Sequence, residues 1–183
     1  MEDKKPIIFL VFIVIIFAVI ILLQEKDSLF NPTPRSRLQP GLPAPDFVFP
    51  GLDGKMVSLA DYKGKVVFLN IWATWCPVCV KKMGGFHSFA EKFEAAGGQV
   101  LNISQDNSMG AVRAFYARQG YNFPIYLDNT GQLLDAFNGT GLPTSIFINA
   151  QGQEVGRIRG GFDWDSSEAA SRVQEYFGLK IAN

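Results

Sequence analysis

The two cysteines of this chain, Cys76 and Cys79, enclose Pro77 and Val78 in the stretch WATWCPVC. A pair at this spacing can bind a metal ion, form a structural disulfide or act as a reversible redox couple. A permanent disulfide here would close a loop with two residues inside it, and so short a loop removes little entropy from the unfolded chain. A purely structural disulfide at this position would therefore add little to the stability of the fold.

Metal binding is disfavoured by a shortage of ligands. Structural zinc sites use four Cys or His ligands, whereas the chain has two cysteines and one histidine, His87. A helix is predicted over about Pro77 to Ala96. His87 would then lie about 16 Å along the helix axis from Cys76 and about 12 Å from Cys79. Cu(I) needs fewer ligands, so a copper metallochaperone stays open as an alternative, but we expect no bound metal and no cofactor.

A redox role has a positive physical argument. Cys76 would lie at the N-terminus of the predicted helix, where unpaired N–H groups and the helix dipole lower a thiol pKa from about 8.5 to about 7 or below. Pro77 fits this position, because proline is favoured as the first helical residue. Cys79, one turn further on, is expected to be more buried and to resolve a mixed disulfide formed at Cys76. We therefore predict Cys76 as nucleophile and Cys79 as resolving cysteine.

Strands and helices alternate around the cysteines, which predicts an α/β domain with a mixed sheet and helices on both faces. The last helix is expected to begin at a cap on Asp165, with Glu168 three residues on, and to end before Gly178. The other predicted elements are a hairpin around Asp53-Gly54, strands at 65–73, 99–104 and 122–128, helices at 106–119 (with Gly120 as C-cap) and 131–137, and a hairpin at 144–160 turning at Gln151-Gly152.

The N-terminal part of the sequence differs from the rest. Residues 7–23 are unbroken apolar, and such a helix would span about 25 Å, close to the thickness of a bilayer core. The stretch from Gln24 to Pro45 that follows holds five prolines. The predicted divisions are a short cytoplasmic tail (1–5), a transmembrane anchor (6–23), a Pro-rich linker (24–40) and the folded domain (41–183).

The order of strand, WATWCPVC, helix and then Gly-Leu-Pro-Thr at 141–144 before a hairpin resembles the thioredoxin fold. The match is closest to membrane-anchored extracytoplasmic thiol:disulfide oxidoreductases of the TlpA and ResA type. It is carried by the apolar anchor, the opening APDFVFPGLDGKMVSLADYKGKVVFLNIWATWC, the extra helix at 106–119, and NFPIYLD before GQLLDAF. The resemblance implies a thioredoxin-like α/β fold with an extra helix inserted after the second central strand, plus an N-terminal transmembrane helix.

The resemblance also implies roles for supporting residues. Pro143 matches the family's cis-proline, which lies beside the nucleophilic cysteine. With Leu142 and Thr144 it would shape a groove in which a substrate strand pairs with the backbone near Thr144. Trp75 is expected to form an exposed apolar rim for partner proteins, whereas Trp72 is expected in the core.

Three positions depart from relatives. Asn70 stands where thioredoxin has a buried aspartate beneath the resolving cysteine, and an asparagine cannot titrate. ResA-like proteins often have an acidic residue near the end of the next strand. If Gln105 occupies that position, the acid is missing, and if Asp106 does, it is present. Alternatively, Asp106 or Asn107 caps the following helix. Gly84-Gly85 replaces the proline that usually kinks the active-site helix, which predicts a bend or close packing.

These features together predict a thiol:disulfide oxidoreductase. By resemblance, it would lie in the bacterial cytoplasmic membrane as a single-pass protein with its catalytic domain on the extracytoplasmic (periplasmic) side, where disulfides form. It would reduce exported proteins such as an apo-cytochrome c and take electrons from a membrane protein. A disulfide-donating oxidant and a peroxiredoxin-like thiol peroxidase are further alternatives. With 17 basic and 17 acidic residues and no basic stripe, no nucleic-acid partner is expected.

Overall fold

The computed structural model describes residues 41, 43–51 and 53–181. The predicted tail, membrane anchor and linker, residues 1–40, lie outside these ranges and stay predictions. Among the described residues, no helix has both the length and the hydropathy that a membrane crossing requires.

The described chain begins with a small antiparallel hairpin made of β1 (Val48–Pro50) and β2 (Met56–Ser58). The turn between them contains Gly54, which has a φ of 81°. A 3-10 helix over Leu59–Tyr62 follows, and the Ser58 side chain caps it by accepting a hydrogen bond from the backbone. The hairpin predicted around this turn is confirmed.

A five-stranded mixed sheet forms the centre of the fold. Its strands are β3 (Val67–Trp72), β4 (Gln99–Ser104), β5 (Tyr126–Leu127), β6 (Thr144–Ile148) and β7 (Glu154–Arg159). Their order is β5-β4-β3-β6-β7. Strands β3, β4 and β5 are parallel, whereas β6 is antiparallel to both of its neighbours. Every residue of β3 is buried, as its nearly continuous apolar sequence predicts for a central strand covered on both faces.

Helices cover both faces of this sheet. They are α1 (Pro77–Ala95), α2 (Met109–Gln119), α3 (Gln132–Ala136) and α4 (Ser167–Phe177). Because side chains alternate along a strand, Phe68 and Trp72 of β3 pack with residues of α1, α2 and α4, whereas Leu69 and Ile71 pack on the other face with Leu133 of α3. The predicted mixed sheet with helices on both faces is confirmed, and α2 is the extra helix after the second central strand.

Two helix starts differ from the prediction. Helix α2 begins at Met109, not at 106, because the Ser108 hydroxyl caps it by accepting from the backbone N–H of Ala111. The predicted capping by Asp106 or Asn107 is therefore wrong. Helix α4 is capped by Ser166 rather than Asp165. The predicted helix ends at Gly120 and Gly178 are confirmed, and both glycines have the left-handed backbone.

The glycine pair in α1 leaves the helix unbroken but permits a close contact. A Cβ at Gly85 would lie 2.7 Å from Oδ2 of Asp165, whereas a Cβ at Gly84 would lie 3.7 Å from the Tyr121 hydroxyl, an ordinary contact distance. The predicted close packing is therefore confirmed at Gly85. It brings the segment before α4 against the active-site helix.

Candidate active site

Cys76 occupies the N-cap of α1. Its backbone is extended, with φ −92° and ψ 106°, and Pro77 is the first helical residue. The Cys76 Sγ accepts a hydrogen bond from the backbone N–H of Cys79 at 3.2 Å. The predicted position at the helix N-terminus is confirmed, and there backbone N–H groups and the helix dipole favour a thiolate.

Cys76 and Cys79 are joined by a disulfide, with their Cα atoms 5.3 Å apart. In this oxidised form Cys76 is 6% exposed and Cys79 is 3% exposed. The predicted difference in burial has the expected direction but is small. Little of Cys76 is therefore accessible to a partner in this form.

Asp106 fixes the loop that leads from β3 to Cys76. Its Oδ2 accepts from the backbone N–H of Thr74 at 2.9 Å, and its Oδ1 accepts from the Thr74 hydroxyl at 2.5 Å. The Ser104 hydroxyl donates to the same carboxylate at 2.5 Å. Within the described residues, none of the hydrogen bonds of Asp106 goes to a cysteine. The structure thus shows Asp106 as a loop-holding residue; the neighbouring Gln105 has a buried side-chain Nε2 without a hydrogen-bond partner in the described part of the chain.

Asn70 belongs to a buried polar chain that crosses the sheet. Its Nδ2 donates to Asn102 Oδ1 at 2.8 Å, and its Oδ1 accepts from the Ser145 hydroxyl at 2.9 Å. Asn102 in turn donates to the Tyr116 hydroxyl at 2.7 Å. Burial raises the pKa of Tyr116 far above its ordinary value, although the hydrogen bond from Asn102 opposes this rise. These four hydrogen-bonded side chains are therefore uncharged at neutral pH.

The partners of Asn70 were not singled out from the sequence, although a signal existed. Asn102 and Ser145 are polar residues inside otherwise apolar strands, and both align with Asn70 in the register of the sheet. A buried polar side chain requires a partner, so polar residues in neighbouring apolar strands are candidates for each other. Which of these residues pair depends on the register of the strands, and the register was not predicted from the sequence.

A small cavity of about 10 Å³ connects several of the predicted site residues. Asn70, Cys79 and Pro143 all line it, so Asn70 does lie beside Cys79, as the resemblance implies. Trp72 also lines it, and its indole Nε1 is buried without a partner in the described part of the chain. The remaining lining residues are Lys82, Met83, Phe86 and Trp164.

The peptide bond between Leu142 and Pro143 is cis, as the resemblance implies. The Pro143 carbonyl accepts from the backbone N–H of Gly160 at 2.8 Å. Thr144 is buried and aligned with strands on both sides, β3 and β7. A substrate strand would therefore have to pair with the backbone that precedes Thr144.

Two exposed apolar side chains next to the cysteines in sequence form an apolar rim. Trp75 is 64% exposed and Val78 is 48% exposed, whereas Trp72 is fully buried. The predicted exposure of Trp75 and the predicted burial of Trp72 in the core are confirmed, while contact of Trp75 with partner proteins stays a prediction. A Cβ at Gly161 would lie 2.6 Å from Cγ1 of Val78, so the loop after β7 closes one side of the rim.

His87 lies on α1, as predicted, and its ring packs against Tyr121 and Phe123. Its Nε2 is 3.2 Å from Oδ1 of Asn122. In the described ranges, no three His, Cys, Asp or Glu side chains cluster as metal ligands do.

A larger cavity of about 240 Å³ lies at the other end of the sheet, where β3 begins and β6 ends. Leu59, Tyr62, Val67 and Ile148 are among its lining residues, and neither cysteine lines it. Its size does not make it the reactive site, because Cys79 lines the small cavity and Cys76 is joined to Cys79 by the disulfide.

Comparison with known sequences agrees with this site. The model of the AhpC/TSA family matches residues 40–154. The thiol-disulfide oxidoreductase ResA of Bacillus subtilis (strain 168) is 36% identical over 145 residues, which cover 79% of this chain and 78% of that protein. ResA of Bacillus thuringiensis subsp. konkukian is 31% identical over 144 residues, covering 79% of this chain and 80% of that protein.

Solved structures give the same result. A Chlorobium tepidum protein described as thiol:disulfide interchange protein DsbE superimposes with a TM-score of 0.68 at 30% identity, covering 76% of this chain and 98% of that one. The exposed lipoprotein thioredoxin Etrx1 of Streptococcus pneumoniae superimposes with a TM-score of 0.59 at 29% identity, covering 72% of this chain and 99% of that one. The fold is thioredoxin-like, as predicted.

The helix N-cap cysteine, its partner one turn on and these relatives support one conclusion. The chain belongs to the AhpC/TSA family and is a thioredoxin-like thiol:disulfide oxidoreductase of the ResA type.

Proposed function

We propose that this chain reduces disulfides in exported proteins on the extracytoplasmic side of a bacterial cytoplasmic membrane, held there by residues 6–23 and the linker at 24–40. The observation that carries the chemical part is the Cys76–Cys79 disulfide at the N-terminus of α1, beside an exposed apolar rim. The unbroken apolar run at 7–23 supports the membrane anchor. Disulfide exchange of this kind belongs to compartments in which disulfides persist.

The reaction begins with the reduced pair. The Cys76 thiolate attacks one sulfur of a substrate disulfide, forms a mixed disulfide and expels the other substrate sulfur as a thiolate. Cys79 then loses its proton and attacks the Cys76 Sγ, which releases the second substrate thiolate and leaves the Cys76–Cys79 disulfide. Two electrons have passed to the substrate. A membrane dithiol protein then reduces the pair by the reverse exchange, so the cycle needs no bound cofactor or metal.

The residues between the cysteines favour the reducing direction. A strong oxidant requires a stabilised reduced form, and neither Pro77 nor Val78 has a side chain that donates a hydrogen bond or carries a positive charge. At the N-terminus of α1, the backbone N–H groups and the helix dipole stabilise the Cys76 thiolate, and the side chains of Pro77 and Val78 add nothing to this. We therefore assign the reducing role to the pair.

The substrate groove includes Trp75, Val78 and the backbone before Thr144, with the cis-proline Pro143 at its base. An extended segment that contains a disulfide fits this surface, because it can pair with the backbone while apolar residues contact the rim. An apo-cytochrome c is such a substrate, since its C-x-x-C-H haem-binding segment forms a disulfide when oxidised.

Trapping of the mixed disulfide tests this proposal. With Cys79→Ser in the full chain, a disulfide-bonded C-x-x-C-H peptide should remain covalently attached to Cys76. With Cys76→Ser, no such adduct should form. If adducts form equally well through Cys79, or with neither variant, the assigned roles are wrong; tight Cu(I) binding without disulfide exchange would instead favour a metallochaperone.

A further inference from the structure

The cavity beside Cys79 has one charged residue in its lining, Lys82. Cys79 and Lys82 are three positions apart on α1, and residues at this spacing lie on the same face of a helix with their Cβ atoms about 5–6 Å apart. The other residues of the lining are uncharged: Asn70, Trp72, Met83, Phe86, Pro143 and Trp164.

Lys82 lies between the cavity and solvent. Its side chain is 36% exposed, and its Nζ is 4.0 Å from Oδ1 of Asp163, whose own side chain is 69% exposed. An ion pair that long and that exposed is weak. Its stem packs near the loop after β7, since a Cβ at Gly161 would lie 3.6 Å from the Lys82 Cγ. The Lys82 side chain therefore contributes to the cavity lining, while its ammonium group lies near Asp163.

A positive charge nearby would favour the thiolate form of Cys79 when it resolves a mixed disulfide. Only the thiolate attacks, and a side chain as buried as that of Cys79 ionises reluctantly in apolar surroundings. Asn70 cannot ionise, and the carboxylate of Asp106 is hydrogen-bonded to Thr74 and Ser104 instead.

The charged groups around this face of α1 come from two elements. Lys82 is on α1 itself, and Asp163 and Asp165 are in the segment before α4, where Asp163 pairs with Lys82 and Asp165 lies against Gly85. Strand β3 contributes Asn70 and Trp72 to the lining, and the residue before β6 contributes Pro143; none of these side chains titrates. Lys82 is thus the cation available to Cys79 within the described lining.

We propose that Lys82 promotes ionisation of Cys79 and thereby sets the rate at which the mixed disulfide is resolved. This inference rests on the proposed function and adds a positioning residue to it. In the step, the Cys79 proton passes to solvent, the Cys79 sulfur bonds to the Cys76 sulfur, and the bond between Cys76 and the substrate breaks. The substrate sulfur leaves as a thiolate and takes a proton from solvent, and Lys82 takes no part in the proton transfer.

The test titrates Cys79 as the single thiol, in the full chain carrying Cys76→Ser, by the pH dependence of its alkylation with iodoacetamide. Lys82→Met should raise the measured pKa by about one unit, so that alkylation below that pKa slows about tenfold. Lys82→Arg keeps the charge and should restore the parent value. Lys81→Met is the matched control, because Lys81 is an exposed neighbour on the same helix, and it should leave the pKa unchanged.

An unchanged pKa in Lys82→Met, or an equal shift in Lys81→Met, would overturn the inference. If Lys82→Met loses its folded structure, Lys82→Gln decides by the same titration. Failure of the proposed function is a separate result, because it would show as a missing mixed disulfide in the two-cysteine protein, whereas this titration requires no turnover.

Discussion

Replacement of Asp106 should loosen the active-site loop and destabilise the whole domain. Asp106 is 3% exposed, and its carboxylate accepts two hydrogen bonds from Thr74 and one from Ser104. A hydrogen bond to a charged group contributes about 1.5–3 kcal/mol, and an unsatisfied buried donor costs about 1–3 kcal/mol. Because Thr74 is only partly buried and can turn toward water, we expect less than the full sum. Asp106→Ala should lower the free energy of unfolding by about 3–5 kcal/mol.

Graded variants separate the hydrogen bonds from mere volume. Asp106→Asn keeps one acceptor oxygen in the same shape and should cost about 1–2 kcal/mol, and Thr74→Val, which keeps the backbone N–H, about 1 kcal/mol. Asn107→Ala is the control, because Asn107 is an exposed neighbour, and it should change stability by less than about 0.5 kcal/mol.

The measurement is urea unfolding of the oxidised protein, followed by tryptophan fluorescence, together with the rate of reaction of the reduced protein with a disulfide peptide. That rate should fall about tenfold or more in Asp106→Ala, because Thr74 is two residues from Cys76 and misplacement of a nucleophile is costly. The reasoning is refuted if Asp106→Ala unfolds at the same urea concentration as Asn107→Ala.

Three further predictions concern packing, pH and substrate contact. Gly85→Ala should destabilise by about 1–3 kcal/mol in thermal unfolding, because its Cβ would lie 2.7 Å from Asp165 Oδ2. The matched Gly84→Ala has room and should stabilise by up to about 1 kcal/mol; equal effects would contradict the close contact. Because burial raises the Tyr116 pKa, its contribution to stability is fully present below the unfolded pKa of about 10 and is lost as the pH rises above that value, by up to about 1.4 kcal/mol per pH unit. In urea unfolding at alkaline pH, the free energy of unfolding should fall less steeply with pH in Tyr116→Phe than in the parent protein. Equal slopes in the two proteins would refute the assignment. Trp75→Ala should raise KM for a protein disulfide several-fold while leaving the reaction with dithiothreitol and the melting temperature unchanged; an equal loss with dithiothreitol would show that Trp75 does not act through substrate contact.

The sequence predicted best those features that depend on neighbouring residues. Cys76 as a helix N-cap follows from a strand, a cysteine and then Pro77, all within a few residues of one another. The glycines that end α2 and α4 are local signals of the same kind. The cis bond before Pro143 came from the family resemblance, because nothing local distinguishes it from a loop proline.

The roles that the sequence misjudged depend on contacts across the fold. Asp106, Asn107 and Ser108 are all residue types that cap helices, and local reasoning placed the cap at one of the first two. The parallel pairing of β3 with β4 brings Thr74 to Asp106, which uses the carboxylate and leaves Ser108 to cap α2. Asp165 is similar, because it packs against Gly85 and Ser166 caps α4 instead.

The cavity beside Cys79 shows the same limit. The three-residue spacing of Cys79 and Lys82 can be read from the sequence. The cavity, however, is also lined by Pro143 and Trp164, which lie far from them along the chain. Sequence reasoning therefore located the reactive pair and its helix, whereas the electrostatic surroundings of the second cysteine required the tertiary structure.

The reduction potential of the Cys76–Cys79 couple tests the central claim most directly. The full chain in detergent micelles would be equilibrated with glutathione and dithiothreitol buffers, and the fraction of disulfide measured by thiol labelling. The account predicts a reversible two-electron couple near or below about −270 mV, the value of thioredoxin. A potential near about −120 mV, typical of a strong oxidant, would contradict the reducing role, and the absence of any reversible couple would contradict the redox function itself.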